Sequence, residues 1–186
     1  MNIGFAMCGS FCTYSQVFPI LELLCRDFHV IPILSESACS TDSRFGTAAE
    51  HMDTLRELCA AEPIHTITQA EPIGPKKLLD ILVIAPCTGN TLAKLAHGIA
   101  DGPVTMAAKS HLRNGRPILI AISTNDALGT AAGNIGQLLS RKHYYFVPFG
   151  QGDPIGKPNS MVADFSRIPQ ALEAALEGRQ IQPILL

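Results

Sequence analysis

Two runs in this chain are apolar from end to end: ILVIAP at residues 81–86 and ILIAI at residues 118–122. A strand with one wet face alternates polar and apolar residues, so a strand with no polar residue is covered on both faces, as in parallel sheets layered between helices. Residues 3–8, 30–34 and 145–147 read as further strands, and residues 64–67 as a weak one. Helical periodicity fills the gaps. Val17, Ile20, Leu21, Leu24 and Phe28 share one face, and Met52, Leu55 and Cys59 mark a second helix. A third pattern follows Asn90 and closes on Gly98. Ile135, Leu138 and Leu139 lie on another, and Ile168, Leu172, Ala175 and Leu176 on a last one that Gly178 ends. The segment EPIGPKKLLD has two prolines, which leave room for regular helix only from Lys76 onward. This alternation predicts one doubly wound, parallel-sheet α/β domain of Rossmann-like type over residues 1–186. The longest aperiodic piece, PFGQGDPIGKPNS at 148–160, reads as a functional arm or a partner contact.

The bulk numbers exclude several classes. Hydrophobic residues make up 47% of the 186 and charged ones 16%, which a disordered chain does not show. Net charge is -2 with Lys and Arg scattered, against a nucleic-acid surface. No apolar stretch reaches the length of a membrane span. The start, MNIGFAMCGS, lacks a basic region, so no signal peptide is expected. Cysteines 8, 12, 25, 39, 59 and 87 form no CxxC pair and no zinc spacing. They predict a reducing cytoplasm, no disulfide framework and no metal site.

In open α/β sheets, ligands bind beyond the carboxyl ends of the strands. The segments there are GSFCT at 9–13, SES from Ser35, CTGNT at 87–91 and STND at 123–126. All carry small residues, hydroxyls or amides, and none carries a cluster of charge. Backbone N–H groups at a helix start, with Ser or Thr hydroxyls, form a phosphate cradle. The same residues also serve as ordinary helix caps. The candidate cofactor-binding set is Gly9, Ser10, Ser35, Thr88, Gly89, Asn90, Ser123 and Asn125. The first turn has no GxGxxG and the chain no GK[ST], which excludes a dinucleotide fingerprint and a nucleoside triphosphatase. Glu36 stands where a dinucleotide-binding acid would, but without the glycines it carries no such reading.

The stretch APCTGNTLAKLAHGIAD resembles the P-x-S/T-x-N-T-x-x-K-x-x-x-G-I-A-D signature of the flavoprotein family that includes phosphopantothenoylcysteine decarboxylase and peptidyl-cysteine decarboxylases. Pro86, Thr88, Asn90, Thr91, Lys94, Gly98, Ile99, Ala100 and Asp101 carry the match. Cys8-Gly9-Ser10 resembles that family's T-G-S turn. The resemblance implies FMN bound at these strand ends and assembly as trimers or multiples of trimers. GSFCTYSQV, TDSRFG, EPIGPKKLLD, IAPCTGN, LRNGRP, AISTNDALG, YFVPFGQ, KPNSMVADF and ALEGRQIQP together resemble the dipicolinate synthase B subunits over essentially the full length. That resemblance implies a protein working with a separate A subunit, which carries a dinucleotide-binding domain. Together they would oxidise dihydrodipicolinate to dipicolinate with NADP, in the mother-cell cytoplasm of a sporulating bacterium. The alternatives are an FMN-dependent decarboxylase and a non-catalytic structural or channelling subunit.

The decarboxylases use a histidine that lies before the central strand. His65 is the sole candidate here, its spacing to Asp80 fits poorly, and a lone histidine at a strand end reads as structural. STND keeps only Asn125 of the relatives' P-x-M-N motif, and 148–160 replaces their substrate arm. These departures argue against cysteine decarboxylation. Cys12 and Cys87 occupy positions that suit a nucleophile, but aromatising a dihydropyridine removes a hydride and a proton and needs no thiol. No catalytic residue is assigned. The implied substrate is a small dianion, which calls for cationic side chains or helix N-termini. Among Lys76, Lys77, Lys94, Lys109, Arg113, Arg116 and Arg44, Arg44 in TDSRFG is the expected substrate-binding residue. Lys76, Lys77 and Arg116 read as solvated surface. Lys94, on a helical face with Thr91 and Gly98, reads as packed or at a subunit contact. The loop 148–160 together with EPIGPKK is the expected contact for the A subunit, and no oxidation is expected of the chain alone.

Overall fold

The computed structural model describes residues 1–186. Strands β1 (Asn2–Met7), β2 (His29–Leu34), β3 (Ile81–Cys87), β4 (Ile118–Thr124) and β5 (Tyr144–Phe146) lie parallel in the order β2-β1-β3-β4-β5. All of β3 is buried, as its unbroken apolar run requires. Pro86, which has no N–H for a ladder, sits where the β3–β4 register shifts between Ile84 and Cys87.

The doubly wound, parallel-sheet α/β expectation holds for these five strands, and two short antiparallel strands make the seven-stranded sheet mixed. β5 pairs only with Ile118–Ile120 of β4, so the far end of β4 is left open. There β7 (Met161–Ala163) pairs antiparallel with Ser123 and Thr124, and β6 (Phe149–Gly150) pairs with β7. The segment between β6 and β7 is the arm marked in the sequence.

The helices are α1 (Tyr14–Asp27), α2 (Glu36–Ser40), α3 (Ala48–Cys59), α4 (Ile67–Ala70), α5 (Gly89–His97), α6 (Pro103–Leu112), α7 (Ala131–Leu139) and α8 (Ile168–Leu176). α1 packs with α3 and α8 on one face, while α4, α5, α6 and α7 form the other layer. Two expected elements differ. Ile64 makes one bridge to Ile33 instead of a strand, because the Thr66 hydroxyl and the Gln69 side chain close a capping box that starts α4. No helix begins at Lys76: Lys77 takes a left-handed φ of 49°, which ends the turn and delivers the chain to β3. α6 has no counterpart among the helices that periodicity predicts. It buries Val104, Thr105, Ala107, Ala108, Ser110 and His111, leaving little polar stripe for periodicity to reveal. Pro103 at its first position is its one local start signal.

Candidate functional site

The chain leaves β1 for α1 on one face and leaves the adjacent β3 for α5 on the other. A crevice opens between two such neighbours at their carboxyl ends. Cys8 N–H donates to the Pro86 carbonyl at 3.2 Å, holding the two exits together. On the β1 side Ser10 N–H donates to the Cys8 carbonyl at 2.8 Å and the Thr13 hydroxyl to the Ser10 carbonyl at 2.9 Å. On the β3 side the Thr88 hydroxyl accepts from Thr91 N–H at 3.3 Å and caps α5. The N–H groups of Gly9, Gly89 and Asn90 donate to no acceptor of the chain. Open donors of this kind suit an anion.

Gly89 is demanded by close approach, since a Cβ there would lie 2.8 Å from Thr124 Oγ1. Gly9 faces Ser37, whose Oγ would lie 3.1 Å from an added Cβ. Ser123, at 5% exposure, joins Ser10 Oγ to Oγ at 2.7 Å and ties β4 into the crevice.

Seven of the nine residues expected from sequence line one open cleft of about 400 Å³: Gly9, Ser10, Arg44, Thr88, Gly89, Ser123 and Asn125. Ser35 and Asn90 line an adjoining cleft of about 180 Å³ that shares Thr88. Ser35 also caps α2 by accepting from Ala38 N–H at 3.2 Å. Sequence reasoning missed Phe11, Phe45, Thr124, Lys157 and Ser160 in the larger cleft. Lys157 and Ser160 lie in the stretch that reads as an arm, and that was the available signal. No acidic residue lines the larger cleft, and neither Arg44 nor Lys157 has an ion-pair partner. The Arg44 guanidinium lies over the Phe45 ring, 4.8 Å from its centre.

His51, also missed, supports this cleft from behind. It is 5% exposed, its Nε2 has no partner, and its ring stacks on Phe11 at 6.2 Å and meets Tyr14 edge-on at 4.7 Å. Burial holds its pKa below the usual histidine value. It touches Gly46, at the end of the turn that carries Arg44.

The thiols divide. Cys87 is fully buried and burial pushes its pKa well above the usual value. Cys8, which accepts from the Thr91 hydroxyl at 3.3 Å, is raised to about 11 by burial. Neither is a thiolate near neutrality. Cys12 is exposed and lines the cleft. All six cysteines are free, and no cluster of His, Cys, Asp and Glu could hold a metal.

Other candidates are accounted for structurally. His65 lies outside both clefts, with Nδ1 3.0 Å from the Pro63 carbonyl. Lys94 pairs with Asp101 at 2.9 Å, which holds that carboxyl below its usual pKa. Arg116 is not free surface as expected: it bonds the Leu79 carbonyl and lies 3.4 Å from Asp80, bracing the entry to β3. The EPIGPKK segment precedes β3 at its amino end, whereas the arm stands beyond the carboxyl end of β4. The two therefore do not form one docking surface. No helix is long and apolar enough to cross a membrane.

A crevice of free backbone donors and hydroxyls at the β1/β3 switch point offers the groups that a phosphate site uses. The family model described as Flavoprotein matches residues 1–148, and the chain belongs to that family. The dipicolinate synthase B subunit of Bacillus subtilis (strain 168) is 50% identical over 186 residues, 100% of this chain and 93% of that protein. The crystal structure of the dipicolinate synthase B subunit from Bacillus halodurans C has a TM-score of 0.91 at 44% identity, covering 100% of this chain and 95% of that one. The FMN-dependent cysteine decarboxylase SpaF shares the fold with a TM-score of 0.69 at 23% identity, covering 94% and 97%.

Proposed function

We propose that this chain is the B subunit of a two-protein dipicolinate synthase. With an A subunit that brings NADP, it oxidises dihydrodipicolinate to dipicolinate in the cytoplasm of a sporulating mother cell. The observation that carries this reading is the acid-free cleft with two unpaired cations at the switch point, in a chain alike over its whole length to proteins named for that role.

The residues fit an FMN phosphate. The free N–H groups of Gly9, Gly89 and Asn90, with the hydroxyls of Ser10, Ser35 and Thr88, would hold it, while Ser123 and Asn125 line the same crevice. FMN, when bound, supplies an acceptor for electrons. The chain's own residues bind and orient. Arg44 and Lys157 attract an anion, Phe11 and Phe45 offer apolar ring surface, and the arm adds Lys157 and Ser160 to the cleft wall. The clefts contain no histidine and, apart from Glu36 at the smaller one, no carboxylate. The chain therefore offers no convincing acid–base pair, and hydride removal falls to the protein that brings NADP. His65, the histidine a decarboxylase reading needs, lies elsewhere.

The test is reconstitution. Purified chain alone should form no dipicolinate. Adding the A subunit should give dipicolinate and rising NADPH absorbance. A visible spectrum of the purified chain reports bound flavin. Equal turnover by the A subunit without this chain would overturn the assignment.

A further inference from the structure

The arm between β6 and β7 is exposed from residue 151 to 159, yet it is internally ordered. Asp153 accepts from Gly156 N–H through its side chain at 2.8 Å and from Lys157 N–H through its carbonyl at 2.8 Å. Gln151 clamps the Pro158 carbonyl at 2.8 Å, and the Asn159 carbonyl accepts from Leu128 N–H at 3.1 Å. Ser160 is 6% exposed and lies in the cleft wall, next to the β7 residues that pair with Ser123 and Thr124. The β4–β7 ladder thus fixes the foot of the arm against the crevice, and the turn at Asp153 presents Lys157 to it.

Arg44 comes from the opposite part of the chain, on the turn closed between Ser43 and Gly46. Two cations from unrelated segments, both without carboxylate partners, therefore line one cleft that also carries the rings of Phe11 and Phe45. One cation would serve any monoanion. Two, with aromatic surface and no acid, suit a ring ligand that carries two carboxylates.

We propose that Lys157 is a specificity residue of the substrate cleft, binding the second carboxylate of a six-membered-ring dicarboxylate whose first carboxylate Arg44 holds. The inference rests on the function proposed above for the identity of the natural substrate, and deepens it by naming the residue that counts the carboxylates. The arm is then part of the binding site, not only a surface for the A subunit.

Calorimetric titration of the FMN-saturated protein tests it, with dipicolinate, the monocarboxylate picolinate, and isophthalate, a benzene ring with the same 1,3-dicarboxylate spacing. Wild-type protein should prefer both dicarboxylates to picolinate. Lys157→Gln should weaken dipicolinate and isophthalate about tenfold, the size expected for one charge-assisted bond, and leave picolinate within about twofold. Lys157→Arg should restore most of the preference, and circular dichroism should show all variants folded. Equal loss for the mono- and dicarboxylates, no loss at all, or no dicarboxylate binding by wild-type protein would each overturn the proposal. Because binding needs no second protein, Lys157-dependent selection without reconstituted oxidation would sink the proposed function and leave this inference standing.

Discussion

Ser10 and Ser123 are 113 residues apart in the chain and join Oγ to Oγ at 2.7 Å across the switch point. This bond ties the turn after β1 to the end of β4, which also anchors the arm. Replacing Ser123 with Ala removes one hydroxyl from the cradle and leaves the strand ladder intact. The loss of one neutral hydrogen bond is worth about 1 kcal/mol, so FMN should bind about fivefold more weakly. Quenching of flavin fluorescence reads this, and unchanged affinity would remove the hydroxyl pair from the flavin site.

Gly46 has a φ of 127°, where a side chain is strained, and an added Cβ would lie 2.7 Å from His51 Cε1. Gly46→Ala should cost about 2 kcal/mol and shift the turn that carries Arg44. A lower urea midpoint together with weaker dipicolinate binding is expected. A wild-type midpoint would show that the turn relaxes without strain.

His111 is 1% exposed, and its Nε2 lies 3.0 Å from the Pro117 carbonyl, to which it donates. Its pKa is lowered from 6.5 to about 4, chiefly by burial and also by neighbouring Arg116, against the opposing pull of the Pro117 carbonyl bond and of Asp80. Between those values the unfolded chain holds a proton that the folded chain does not, so stability rises with pH there. Stability is fully present above about pH 6.5 and falls by about 3 kcal/mol as pH drops to about 4. His51 is shifted the same way by burial and adds to the slope. His111→Gln should flatten the acid limb of urea midpoint against pH, and an unchanged limb would assign it to other groups.

Ile99 is 47% exposed beside a cleft of about 390 Å³ formed with Leu95, Ala108, Leu112 and Tyr144, and flanked by Lys109 and Lys142. Such a surface suits the homo-oligomer, trimer or multiple of trimers, proposed from the family resemblance. Ile99→Asp should lower the mass measured by light scattering at micromolar concentration. A monomeric parent, or a variant with the parent's mass, would count against this face as the contact.

Ile155, at the tip of the arm, is 95% exposed. Replacing residues 150–157 by a Gly/Ser linker should keep the fold and FMN binding but abolish both co-elution with the A subunit and joint activity. Lys157→Gln should lose dicarboxylate selection and still co-elute. Undiminished joint activity in the linker variant would show that the arm is not the contact.

The uninterrupted apolar runs of β3 and β4 determined a buried parallel sheet, because no polar face was available for water. The small, hydroxyl-rich residues after four of the strands likewise marked the edge where the two adjoining clefts lie. They can act only through backbone donors and caps, and those act where a strand ends. Tertiary structure alone decided the rest. Antiparallel β7 exists because β5 stops short and leaves an edge on β4, a length mismatch that local periodicity does not encode. α6 is buried too evenly for a stripe to show. Lys157 reads in sequence as one cation in a polar loop, and it becomes a wall of the cleft because pairing with Ser123 and Thr124 brings the foot of that loop back to the switch point.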